Sequence, residues 1–341
     1  MSLDIAKSIA IIAIVAGHVW RGLASAGLLD GDSILFNVVD RSLYMFHLSV
    51  FAFTAGLFVQ RGMNRAGAWR YAMKRDAEFL WIYVLWSFIS GGTKLALSSA
   101  VNHPTSVPEI LTLWIPSEQY WFFGWIALMM ILSALVQPWR STARAISSLT
   151  LVTLGSLVMW GIGGTVIGTQ GLGLAFFFWV ALIVRGDRLL GILKGMSLPV
   201  AVLVAVFSTV VMLALVSLTG ATTPTEGAAG RTAVNVLLGV LAATAGVVAV
   251  LLWSSVLARA DRRAEVFQYI GQRSMAVFIA HVLFMAAARI VLLRLGVDQV
   301  GLHLLIGVVI GVGGPLMLLW LSQLLRVQWL FSAPQWLTRR V

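Results

Sequence analysis

The sequence predicts an all-α, polytopic membrane bundle of about ten transmembrane helices, a single domain over residues 1–341, with both termini in the cytoplasm. Three observations carry this expectation. Hydrophobic residues make up 60% and charged residues 11% of the chain, and mean hydropathy is +0.93, more apolar surface than a soluble fold can hide. Apolar runs of about 20 residues, the length that crosses a bilayer as a helix, recur from one end to the other. Basic residues collect in alternate connections between those runs.

The first span runs from about Leu3 to Ala24, and its Asp4–His18 stretch holds three ionisable side chains, Asp4, Lys7 and His18. At 3.6 residues per turn these share one stripe with Ile11 and Ile14. Lys7 and His18 lie roughly 16 Å apart along the axis. The sequence Ala24-Ser25-Ala26 has the form of a signal-peptide cleavage site. A basic leader cluster is missing, however, and many spans follow, so the segment reads as a retained helix.

Span two covers about Ser42–Gln60, and a basic segment follows with Arg61, Arg65, Arg70, Lys74 and Arg75. Span three covers about Phe79–Ser98. The next loop is rich in Pro and Ser, and its Trp114 suits a membrane interface. Span four is about Tyr120–Val136 and span five about Ile146–Gly161, ended by a Gly161, Gly163, Gly164 turn. Spans six to ten are expected at about Thr165–Val184, Leu198–Leu218, Thr232–Leu257, Ser274–Leu293 and Leu302–Leu325. The tail, with Trp329, Trp336 and Pro334, is expected along the interface.

On this division only Arg21, Arg41, Lys94, Arg231, Arg289 and Arg294 of the 24 Lys and Arg fall on the far side from Lys7. The bias places both termini inside. The net charge of +11 is therefore dispersed topology charge rather than a nucleic-acid footprint. With no cysteine there is neither disulfide nor thiolate chemistry.

Titratable groups inside spans are costly and point to a partner or a task. His18, His47 and His281 are such groups; His103 and His303 say little. Each alone reads as a hydrogen-bonded packing residue between helices, and together they suggest a polar interior. No HxxxH or HExxH pair supports a metal site, and none is expected. Imidazole is a natural general base near neutral pH. Asp4 and Lys7, one turn apart, are placed to pair. Lys7 alone reads as an anchor that snorkels to the headgroups. The 61–75 segment reads either as positive-inside topology or as an anion clamp.

The motifs resemble those of the acyltransferase-3 family of integral membrane acyltransferases. LDIAKSIAIIAIVAGH is similar to the family's first span, in which a basic residue precedes a histidine with ten residues between. FHLSVFAFTAGLFV is similar to its FHMPLFFFLSGYL-type stretch through Phe46, His47, Phe51, Phe53 and Gly56, and the FH form is most like the fucose 4-O-acetylase-like branch. SEQYWFFGWIALMM resembles the W-[FY]-L segment through Trp121 and Phe122. IGQRSMAVFIAHVLF resembles the late LGxxSLxIYLxH segment through Gly271, Ser274 and His281. The chain departs from the family's RxxR pair: Glu78 stands where the second arginine belongs after Lys74-Arg75, and the following proline is absent.

The resemblance implies transfer of an acyl group, usually acetyl, from cytoplasmic acyl-CoA to a hydroxyl of a sugar or other cell-envelope molecule. It implies a multi-pass protein of the plasma (inner) membrane in contact with lipid. The Ala, Val, Gly and Arg content suits a bacterium. On this reading His18 is the catalytic base, with Lys7 and Asp4 beside it in the catalytic set. Arg61, Arg70, Lys74 and Arg75 meet the phosphates of acetyl-CoA. His47, Glu118, Tyr120, Trp121 and His281 line the substrate cavity. The alternative is a transporter or lipid-linked glycan flippase with a histidine-lined path.

Overall fold

The computed structural model describes residues 1–99, 101–102, 104–227 and 230–338. His103 lies outside them, as do Arg339 and Arg340 of the tail. The architecture is all-α. Among the described residues nine helices are long and apolar enough to cross a membrane, and a shorter apolar helical stretch covers Leu172–Val184.

Helix α1 (Ser2–Ser25) is the axis of the bundle. It packs against α2 (Ile34–Gly56), α11 (Ala233–Leu257), α12 (Asp261–Gln272), α13 (Ser274–Arg294) and α14 (Val300–Leu324). A helix enclosed by five neighbours buries most of its apolar side chains. Ile5, Ile11, Ile14 and Val15 are accordingly at or near zero exposure. Its Ala6, Ala10, Ala13 and Gly17 are small, so neighbouring backbones come close.

The basic connection after α2 is helical, not a loop. α3 (Val59–Ala66) is followed directly by α4 (Ala68–Ala96), which begins about ten residues before the expected start of span three. Arg, Lys and Ala are good helix formers, so charge takes this stretch out of the apolar run without breaking the helix. The one break is Gly67, whose φ of 88° suits glycine alone.

A short helix, α5 (Val107–Leu111), lies in the next loop, and Trp114 beyond it is exposed. α6 (Trp121–Val136), α7 (Thr142–Met159), α8 (Ala175–Val184), α9 (Gly186–Gly195) and α10 (Leu198–Leu218) follow. The sixth span differs from expectation. Residues 165–171 are irregular, and the helical stretch Leu172–Val184 is about 20 Å long against the ~30 Å of a hydrocarbon core. Gly168 and Gly171 both take positive φ, which ends helical propagation there. The irregular backbone is shielded by protein: Ile167 and Gly168 pack on Gly124, and Gly171 packs on Trp121. The tail holds α15 (Gln335–Thr338) and docks through two tryptophans of α4. Trp81 Nε1 donates to the Trp329 carbonyl at 2.8 Å, and Trp86 Nε1 to that of Leu330 at 2.6 Å.

The bundle has two distinct ends. At the Lys7 end, Gly186 N donates to the Leu57 carbonyl, and Arg259 Nη2 donates to that of Met196. α12 lies directly on the start of α1. At the other end are Arg21, Arg41, Lys94, Arg231 and Arg289, each held by a carboxylate or a backbone carbonyl.

Candidate active site

Three helices bring the span histidines together. α1 carries His18, α2 carries Tyr44 and His47, and α13 carries His281. The His18 ring centroid is 5.1 Å from that of His281 and 6.3 Å from that of Tyr44. Tyr44 in turn is 4.7 Å from His47. His281 is fully buried, and its Nδ1 faces the carbonyls of Phe278 at 2.9 Å and Val277 at 3.1 Å. Carbonyls only accept, so Nδ1 carries the proton and Nε2 presents a lone pair. That Nε2 is buried with no partner among the described residues, and so is Nδ1 of His47. Buried polar nitrogens normally find a partner, so these two call for a polar group or a ligand beside them.

His18 lines a cavity of about 350 Å³ that opens at the end away from Lys7. Its walls include Arg21, Lys94, Asn102, Glu118, Gln119 and Arg289 among apolar residues of α13. One turn beyond His18, Arg21 stacks its guanidinium 3.4 Å from the Tyr44 centroid. It grips Asp40 through Nε (2.6 Å) and Nη2 (2.9 Å), and Glu226 through Nη1 (2.6 Å). Across the cavity Lys94 pairs with Glu118 at 2.6 Å, and Ser90 donates to the same carboxylate at 2.9 Å. Glu118 holds a positive φ of 51°, a costly conformation for a non-glycine residue and a frequent mark of functional positions.

Other expected residues lie elsewhere. Asp4 and Lys7 pair at 2.9 Å at the opposite end of α1, with buried Ile11 and Ile14 between them and His18. Tyr120 is fully buried and turns its hydroxyl to the Ile279 carbonyl at 3.2 Å, where Gln119 also donates. Both therefore fix α13 two residues before His281. Trp121 packs on Phe122 and Gly171. Arg61 is exposed, 3.9 Å from Asp187, beside a cavity of about 420 Å³ that Arg65 and Arg185 also line. Arg70 and Lys74 are exposed, and Arg75 is tied to Glu78 at 2.5 Å. Among the described residues no group of three or more His, Asp or Glu side chains is placed to hold a metal ion.

A family model of the acyltransferase domain matches residues 2–320. The chain belongs to that acyltransferase family. The match spans every helix that builds the His18 cavity. No curated protein and no solved structure matches the chain. Family membership makes this a membrane acyltransferase, and the family works with a CoA-borne acyl group and an envelope acceptor.

The cavity of this acyltransferase draws on residues outside the four motifs. Arg21 follows His18 by three positions, and Arg289 follows His281 by eight, both on the same helical face as their histidine. That spacing was legible. The convergence of Lys94 from α4 was not, because nothing local links it to a histidine. Asp76 also lies outside the motifs: it is 5% exposed, and neither carboxylate oxygen has a partner among the described residues.

Proposed function

We propose that this acyltransferase moves an acetyl group from cytoplasmic acetyl-CoA to a hydroxyl of a sugar or other cell-envelope molecule, in the manner of the fucose 4-O-acetylase-like branch. The observation that carries the reading is His18 at the wall of a cavity shared with charged side chains and backed by a second imidazole. The Lys7 end faces the cytoplasm of a bacterial plasma membrane, where its excess of Arg and Lys attracts the anionic donor. The cavity faces the other side, where the acceptor arrives.

In this scheme His18 takes the proton from the acceptor hydroxyl. The oxygen attacks the thioester carbonyl carbon, the C–S bond breaks, and CoA leaves as the thiol once the proton returns to sulfur. His281, with its acceptor nitrogen free, stabilises the charge that His18 gains. Low local dielectric strengthens each of these interactions. Arg61 with Arg65 and Arg185 holds donor phosphates, since guanidinium groups bind phosphate in a fork. Lys74, Arg70 and Arg75 add positive potential nearby. Lys7, oriented by Asp4, acts on the donor at its own end of α1. His47, Glu118 and Lys94 shape the acceptor side, while Tyr120 and Trp121 support it from behind.

The test uses membrane vesicles containing the protein, with labelled acetyl-CoA supplied on the face carrying the Lys7 end. Alkali-labile acetyl esters on material from the opposite face are the expected result. Gradient-driven movement of a lipid-linked glycan, with no ester formed, would favour the flippase reading instead.

A further inference from the structure

Among the described residues, Arg289 is the cation of the His18 cavity with no acid to neutralise it. Arg21 is matched by Asp40 and Glu226, and Lys94 by Glu118. Arg289 forms no ion pair with any described residue. Its hydrogen-bond partner among them is the Gly22 carbonyl, at 2.9 Å from Nη1. That carbonyl already accepts the Ala26 N–H at 3.1 Å, so it does not depend on the guanidinium. Four of the five guanidinium donors remain for something else.

The local backbone is shaped to seat this group. A Cβ on Gly22 would lie 2.7 Å from Arg289 Nη1, so a side chain there would displace the guanidinium. Arg289 and His18 line the main cavity together, and both also line a second pocket of about 10 Å³ beside it. Gly22 is one helical turn past His18, about 6 Å along the axis. An anion held by Arg289 therefore shares the cavity with a hydroxyl that meets His18.

We infer that the acceptor is anionic, carrying a carboxylate or phosphate on the same sugar as the acetylated hydroxyl or on its neighbour, and that Arg289 binds that group. The inference rests on the acyl-transfer reading and names the acceptor class for it. An uncompensated guanidinium beside an apolar wall is a strong site for an oxyanion, because the anion removes the cost of leaving the charge unpaired. It also rejects a neutral sugar of the same shape, which leaves that charge unmet.

The experiment uses the full chain in nanodiscs with acetyl-CoA and two matched pairs of sugars. D-galacturonate is set against D-galactose, and D-glucose 1-phosphate against D-glucose, which separates carboxylate from phosphate. Ester formation and equilibrium dialysis of the labelled sugars are both read. At least one anion is expected to exceed its neutral partner about tenfold in binding and in kcat/KM, the worth of one charged hydrogen bond. In Arg289→Gln that ratio falls about tenfold, and Arg289→Lys keeps part of it because charge remains while the fork is lost. Equal handling of charged and neutral sugars by the native protein, or a preference that survives in folded Arg289→Gln, overturns the inference. Arg289-dependent anion binding with no ester from any sugar supports the anion site and counts against acyl transfer.

Discussion

Replacing Gly271 with alanine is expected to push α12 off the start of α1. A Cβ at this position would stand 1.7 Å from the Asp4 carbonyl oxygen, 2.5 Å from its carbon and 3.1 Å from Asp4 Cα. All three are backbone atoms, so no rotamer change relieves the clash. Restoring ordinary contact at 3.4 Å requires the two backbones to part by about 1.7 Å. Overpacking of this kind costs typically about 1–3 kcal/mol. The upper part of that range applies, because both partners are rigid helices. The assay is thermal unfolding in nanodiscs followed by tryptophan fluorescence, with the chain's 14 tryptophans as reporters. A clear fall in midpoint is expected, with Gly271→Ser behaving like Gly271→Ala. An unchanged midpoint in both variants would refute the close approach. It would also leave the glycine of the IGQRSMAVFIAH segment without a steric cause.

Three further outcomes follow from the geometry. Asp76→Asn should unfold at or above the native midpoint, since it removes a buried carboxylate whose oxygens have no partner, and a marked loss of stability would show that an acceptor is needed there. Lys94→Ala should destabilise by more than about 1 kcal/mol, because it leaves Glu118 largely buried and unpaired, and the Lys94→Ala/Glu118→Gln double variant should recover part of that loss in a thermodynamic cycle. Arg61→Ala combined with Arg185→Ala should raise the KM for acetyl-CoA more than it lowers kcat, whereas Arg70→Ala should raise it far less; equal effects would remove the distinction drawn between the cavity arginines and their exposed neighbour.

The bundle was legible because its evidence is local: each apolar run reports its own helix. The sixth span was overextended because Ile167, Leu172 and Leu174 keep an averaging window apolar while Gly168 and Gly171 break the backbone between them. The α3–α4 segment was hidden for the opposite reason. Its Arg and Lys lower hydropathy without lowering helix propensity. For the site, the histidines were legible as costly residues in spans, but their meeting depends on how α1, α2 and α13 pack. The separation of Lys7 from His18 was fixed by helix geometry alone. Tyr120 shows the limit: its position in a motif says nothing of whether its hydroxyl meets a cavity or, as it does, the carbonyl of Ile279.

The role of His18 is tested most directly by thioester turnover from labelled acetyl-CoA by the purified protein in nanodiscs, with native protein beside His18→Gln of matched unfolding midpoint. Saturable binding is expected in both, with transfer or slow hydrolysis in the native protein and a fall of at least about a hundredfold in the variant, the usual scale for a general base. Undiminished turnover by folded His18→Gln would contradict that role.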